Sequence, residues 1–154
     1  MDWTSMTIRE FQQALSSKNP TPGGGTASAI ALGHSASLVT MVANLTIGND
    51  KWSNGWEISD SALILAGEIL EDSARLARED SDSFDDVMAA FKLPKKTEDD
   101  ITIRRAKIRE ITLTAAEIPY NTALLAIDLL KIMVPLSLHG NANAISDIGV
   151  AALL

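Results

Sequence analysis

Asp80 is the acid in this chain whose spacing suggests chemistry. It falls in step with Leu65, Ile69, Leu76, Phe84, Val87 and Phe91, a run of threes and fours with one gap that marks one face of a helix. Asp82, Asp85 and Asp86 fall off that face and read as solvated. A carboxylate turned toward a core is expensive unless it is paired or used. Two readings stand. Asp80 is a general acid, base or orienting group tuned by burial, or it is a structural acid bonded to a helix end or an arginine.

The run Thr21-Pro22-Gly23-Gly24-Gly25-Thr26 offers a different kind of chemistry. Adjacent glycines carry a high backbone entropy cost, so they belong where the chain turns sharply or approaches something closely. Placed at a helix start they leave bare N–H groups at the positive end of the helix dipole, suited to an anion or a carbonyl oxygen. The run is not a dinucleotide fingerprint, because no strand precedes it and its third glycine is missing.

Other polar groups are less specific. Lys95 follows Pro94 at a helix–helix junction, and Arg104, Arg105, Lys107 and Arg109 come soon after. They form an ordinary charged face or a local basic patch for carboxylates. Asn141, Asn143, Ser146 and Asp147 cluster at a turn and helix start. Capping explains one or two of them. His34 lies among small residues and reads as a packed core histidine, and His139 sits in a turn. Two separated histidines without a carboxylate pattern give no metal site. Neither has Glu three residues before it, as a metal-carboxylate bundle requires. Trp52 and Trp56 suit a dimer contact better than a lid.

The totals set limits. The 154 residues are 46% hydrophobic and 21% charged, enough for one domain with a core. A net charge of −7 argues against a nucleic-acid partner, which needs a basic face. There is no cysteine, so disulfide and thiolate chemistry are excluded. No charged leader followed by an apolar core is read near the start, so no secretory signal is expected. The apolar stretch 27–47 holds His34, Ser35, Ser37, Thr40 and Asn44, and reads as a buried helix rather than a membrane span. A cytoplasmic location is expected.

The elements that must position these groups are helical throughout. Thr7 and Glu10 fit a capping box opening a short helix with Ile8, Phe11 and Leu15 on one side. The Pro/Gly loop leads into a central helix apolar on all sides. A polar and aromatic loop spans Gly48 to Gly55. Ser59 is expected to cap the next helix, which runs to about Phe91 and stops before Pro94. Thr97 and Asp100 open a further helix to about Glu117. Pro119 kinks or restarts it, and Pro135 ends it near Val134. A last helix begins near Ala144. The expected fold is an all-α bundle of about six helices in a single domain.

These pieces in order resemble one family. Pro22-Gly23-Gly24-Gly25 precedes an Ala/Gly/Ser-rich helix ending Met41-Val42-Ala43-Asn44-Leu45-Thr46. Asp80-Ser81-Asp82-Ser83-Phe84, Leu93-Pro94-Lys95 and Ala116-Glu117-Ile118-Pro119 follow, then Gly140-Asn141-Ala142-Asn143-Ala144-Ile145-Ser146-Asp147-Ile148-Gly149-Val150-Ala151. The chain resembles the cyclodeaminase/cyclohydrolase family, which includes the cyclodeaminase domain of formimidoyltransferase-cyclodeaminase and stand-alone methenyltetrahydrofolate cyclohydrolases.

The resemblance implies a helical fold that forms homodimers and a folate site near the glycine loop. It implies that residues 1–154 lack the C-terminal helical segment of similar members, in keeping with an apolar end, Val150 to Leu154, that has no stop signal. It implies attack on a one-carbon unit held by folate nitrogens, by deamination of a formimino group or hydrolysis of a methenyl bridge. No cofactor beyond the tetrahydrofolate substrate is implied. Asp80 would transfer or orient a proton, and Lys95 would stabilise charge or act as an acid. Asp147, Asn141 and Asn143 would position the pterin. Gly23, Gly24 and Gly25 would offer backbone contact, and Arg104 or Arg105 would meet the glutamate tail. The rival reading is a non-catalytic, folate-binding or merely dimerising bundle.

Overall fold

The computed structural model describes residues 2–154. Among them are five α-helices: α1 (Ile8–Leu15), α2 (Gly24–Thr46), α3 (Trp56–Phe91), α4 (Glu98–His139) and α5 (Ile145–Leu153). Short 3-10 turns cover Trp3–Ser5, Asp50–Gly55 and Ala142–Ala144, and no strand occurs among the described residues.

Helix α2 is the hub, and α3, α4 and α5 all pack against it. Its Leu32, Ala36, Val39, Val42 and Ala43 meet Ala62, Ala66 and Ile69 of α3, Leu129, Met133 and Leu136 of α4, and Ile148 and Ala151 of α5. Each fully buried Leu or Ile contributes about 1.5–3 kcal/mol by leaving water. Small residues let the axes come close. A β-carbon at Gly33 would lie 2.6 Å from Ser73 Oγ on α3. Gly33 stands beside Ser73 and Gly25 beside Asp80, so α2 and α3 run antiparallel. A second cluster closes the other end of α2, where Trp3 packs with Ala29, Leu76 and Ala77.

Several boundaries differ from the sequence expectation. Helix α4 passes through both Pro119 and Pro135 to His139. Each proline removes an intrahelical donor at a cost of about 3 kcal/mol. Buried Thr122, Leu129, Met133 and Leu136 hold α4 against its neighbours between and beyond the two prolines, so the helix continues through Pro119 rather than restarting and does not end at Pro135 as expected. Ser59 is not a cap. Helix α3 starts at Trp56, and Ser59 lies fully buried in the helix.

The stripe containing Asp80 is buried only in part. Ile69 and Leu76 are in the core, but Phe84 and Phe91 are 42% and 50% exposed. The reason is length: α3 continues past the point where α2 begins, so its last turns lose that neighbour. His34 is exposed, with Nδ1 2.8 Å from the Ile30 carbonyl oxygen. The most deeply buried line of α2 is instead Ala29, Ala36, Val39 and Ala43. The Thr7–Glu10 and Thr97–Asp100 capping boxes form as read. Helix α1 buries no residue fully, because Ile8 and Leu15 face solvent and only Phe11 leans edge-on against Trp3.

Helices α2 and α4 are long and apolar enough to cross a membrane by length and composition. Half of the most apolar window of α2 is buried within the fold, against 22% for α4. Helix α4 accordingly shows Leu124, Ile127, Val134 and Leu138 at the surface.

Candidate functional site at the start of α2

Gly23 is the residue before α2, in extended conformation and with no side-chain cap. The Thr21–Pro22 peptide just before it is cis. Its carbonyl accepts the first helical bond, from Ala27 N–H at 3.0 Å. The N–H groups of Gly24 and Gly25 belong to the first turn, where no intrahelical acceptor exists. The N-cap residue therefore supplies no side chain to the positive end of the α2 dipole.

Asp80 comes to this end from α3. Its half-buried carboxylate accepts a hydrogen bond from Thr26 Oγ1 at 2.9 Å. It also occupies the space a side chain at position 25 would need: a β-carbon on Gly25 would stand 2.6 Å from Asp80 Cγ and 2.7 Å from Oδ2. Glycine at 25 is what allows the acid to lie against the helix start. Thr26 Oγ1 is also 2.9 Å from Ser81 Oγ, and Ser81 accepts from Trp3 Nε1 at 2.9 Å.

A mostly apolar groove of about 280 Å³ opens beside this cluster, between α2, α4 and α5. Gly25, Ser28, Leu32, Pro119, Thr122 and Ala126 are among its walls. A second groove, of about 390 Å³, lies between α3 and α4 and is acidic, with Glu79, Asp82, Asp86 and Glu117 along it. Among the described residues no three His, Cys, Asp or Glu side chains gather to hold a metal ion.

The remaining expected positions stand elsewhere. Lys95 is exposed in the α3–α4 connection. It lies past Phe91, itself about 16 Å along α3 from Asp80 at helical rise. Arg104 is near that same turn. Its Nη2 donates to the Phe91 carbonyl at 3.1 Å and its guanidinium stacks 5.6 Å from the Phe91 ring centroid. Asn141 and Asn143 lie at the opposite end of α2, some 30 Å from Gly25 given the length of that helix, and Asp147 follows in α5, which runs back along α2 to set Ala151 against Ser35. Asn141 N–H donates to Thr46 Oγ1, its Nδ2 donates to the Leu45 carbonyl, and its Oδ1 accepts from Asn143 N–H. Asp147 sits half-buried in the first turn of α5. The structure thus joins Asp80 to Gly23, Gly24 and Gly25 within one chain and separates the other five residues from them.

Sequence reasoning did not single out Thr26, Ser81 or Trp3. Thr26 and Ser81 adjoin residues that were noticed, so their position was a usable signal. Trp3 lies 78 residues from its partner, and nothing local announces that contact.

The fold and this site define a helical bundle with one acid set against a glycine-opened helix. The profile of the formiminotransferase-cyclodeaminase family matches residues 7–154, and the chain belongs to that family. It is 38% identical to a methenyltetrahydrofolate cyclohydrolase of Methylorubrum extorquens, over 96% of this chain and 71% of that protein. It is 28% identical to formimidoyltransferase-cyclodeaminase of Gallus gallus, over 92% of this chain but only 26% of that longer protein. Its fold superposes on the crystal structure of formiminotetrahydrofolate cyclodeaminase from Thermotoga maritima with a TM-score of 0.84. That match has 24% identity and covers 96% of this chain and 70% of that one.

Proposed function

We propose that this chain is a folate one-carbon enzyme that hydrolyses the methenyl bridge of methenyltetrahydrofolate, with Asp80 as the proton-transfer group. The observation that carries the reading is the meeting of Asp80 with Gly25 at the start of α2, in a chain of this family. The similarity to a cyclohydrolase along 71% of its length supports hydrolysis over deamination.

The chemistry needs little machinery. Water adds to the electrophilic methenyl carbon, and Asp80 accepts the proton that water loses. The tetrahedral carbon then collapses: its hydroxyl proton is released to solvent, the bond to one folate nitrogen breaks, and Asp80 passes its proton to that nitrogen. The carbon stays as a formyl group on the other nitrogen, with one net proton released. A carboxylate within reach of both the water and the leaving nitrogen performs both transfers. N–H groups of Gly24 and Gly25 are placed to hold a carbonyl or carboxylate oxygen of the substrate. The apolar groove beside Gly25 would take a flat ring system. Asn141, Asn143, Asp147, Lys95 and Arg104 need tests of their own, since each stands away from Asp80 in the chain.

We further propose a homodimer. The exposed line Leu124, Ile127, Val134 and Leu138 on α4, with Val150 and Leu153 on α5, supports an apolar interface.

The test is absorbance-monitored turnover of methenyltetrahydrofolate, with ammonia release from the formimino substrate followed in parallel. Hydrolysis without ammonia release is the expected outcome. Ammonia release in place of hydrolysis would assign the chain to deamination. Binding without either reaction would leave it a folate-binding bundle.

A further inference from the structure

Three buried side chains lead from the N-terminal turn to Asp80. Trp3, Thr26 and Ser81 are 7%, 0% and 3% exposed. The contacts Trp3 Nε1 to Ser81 Oγ, Ser81 Oγ to Thr26 Oγ1, and Thr26 Oγ1 to Asp80 Oδ2 are each 2.9 Å.

The direction of this chain follows from its ends. An indole N–H only donates, and an ionised carboxylate only accepts. Each hydroxyl has one proton to give. Ser81 receives from Trp3, so its own proton is free for Thr26, and Thr26 gives its proton to Asp80. All donors therefore point toward the carboxylate. Aligned bonds in a buried setting strengthen one another. Trp3 is fixed at the far end by the cluster of Ala29, Leu76 and Ala77 and by the edge-on Phe11 ring, 6.4 Å away between centroids. The anchored indole thus sets Ser81, Ser81 sets Thr26, and Thr26 sets Asp80 Oδ2.

We infer that Thr26, Ser81 and Trp3 are positioning residues for the reaction at Asp80, a relay that holds its carboxylate in one orientation beside Gly25. The inference rests on the reading of Asp80 as the reacting group. It extends the working site to Trp3, which precedes the span matched by the family profile.

The test compares Thr26→Val, Thr26→Ser, Trp3→Phe and Asp80→Asn in methenyltetrahydrofolate turnover, with thermal unfolding of each. Valine keeps the shape of threonine without the hydroxyl, and serine restores the hydroxyl. Loss of a hydrogen bond to a charged group predicts that Thr26→Val lowers kcat about 10–100-fold. KM should stay within about twofold, since substrate binding is untouched. Thr26→Ser should recover kcat to within about threefold of wild type. Trp3→Phe keeps a buried ring and loses only the donor, so a fall of about 3–10-fold in kcat is expected at the remote end. Wild-type kcat in Thr26→Val, or a loss that Thr26→Ser fails to restore, overturns the relay. If Thr26→Val does not fold, Trp3→Phe decides, and an unchanged kcat there overturns it. Asp80→Asn separates the two levels. Near-normal turnover in that variant removes the reading of Asp80. An inactive Asp80→Asn beside a normal Thr26→Val removes the relay alone.

Discussion

Helix α2 has a fully buried threonine near each end, and the two ends use it differently. At the start, Thr26 passes a line of hydrogen bonds outward to Asp80, a half-exposed carboxylate. At the finish, Thr46 closes on the protein itself. Its hydroxyl donates to the Val42 carbonyl at 2.8 Å and accepts Asn141 N–H at 2.9 Å, while its carbonyl accepts Trp56 Nε1 at 3.1 Å. Both ends bury polar groups, and both satisfy them. The difference is where the bonds stop. One line ends in a titratable group beside a groove, and the other ends in backbone. On the proposed function the first serves the reaction, whereas the second is a latch between α2, α3 and the turn before α5.

The largest break in this comparison is Asp80→Asn. The amide keeps the shape but cannot take a proton, so kcat should fall about 10²–10⁴-fold with the unfolding temperature little changed. Gly25→Ala comes next. The new methyl group displaces the Asp80 carboxylate, the end of a flexible side chain, rather than backbone. We expect kcat about 10–100-fold lower in a folded protein whose circular dichroism matches wild type.

The opposite end should respond the other way. Thr46→Val leaves the Asn141 N–H without its acceptor, at a cost of about 1–3 kcal/mol in chemical unfolding. Turnover per folded molecule should not change. The smallest effect belongs to Glu10 in the α1 capping box. Hydrogen bonds from the Thr7 hydroxyl and then the Thr7 N–H hold its carboxyl below the usual carboxylate range. Its contribution is therefore present above that range and lost as pH falls through the lowered value. Glu10→Gln should flatten the acid limb of a stability–pH curve slightly and leave turnover alone.

How much of this was legible in the sequence depends on the range of the interaction. The capping boxes at Thr7 and Thr97 were readable because both partners lie within one turn. Asp80 was singled out by helical spacing, although Phe84 and Phe91 of its stripe proved exposed. Spacing reports which residues share a face, not how far a neighbouring helix extends to cover it. Pro135 misled for a related reason, and Pro119 was left open between a kink and a restart, since packing over the length of α4 outweighed the local cost of each. The pairing of Gly25 with Asp80 depends on the register of α2 against α3. The division between the two ends of α2 depends on that register too, and neither motif carries it. Asn141 stood with Asp80 among the expected site residues until the fold placed them a helix length apart.

The most direct test of the central claim is kcat for methenyltetrahydrofolate measured side by side in Asp80→Asn and Thr46→Val, each normalised to folded protein. The account predicts turnover lost in the first and kept in the second. Near-normal turnover in Asp80→Asn, or an equal loss in Thr46→Val at matched folded concentration, would contradict it.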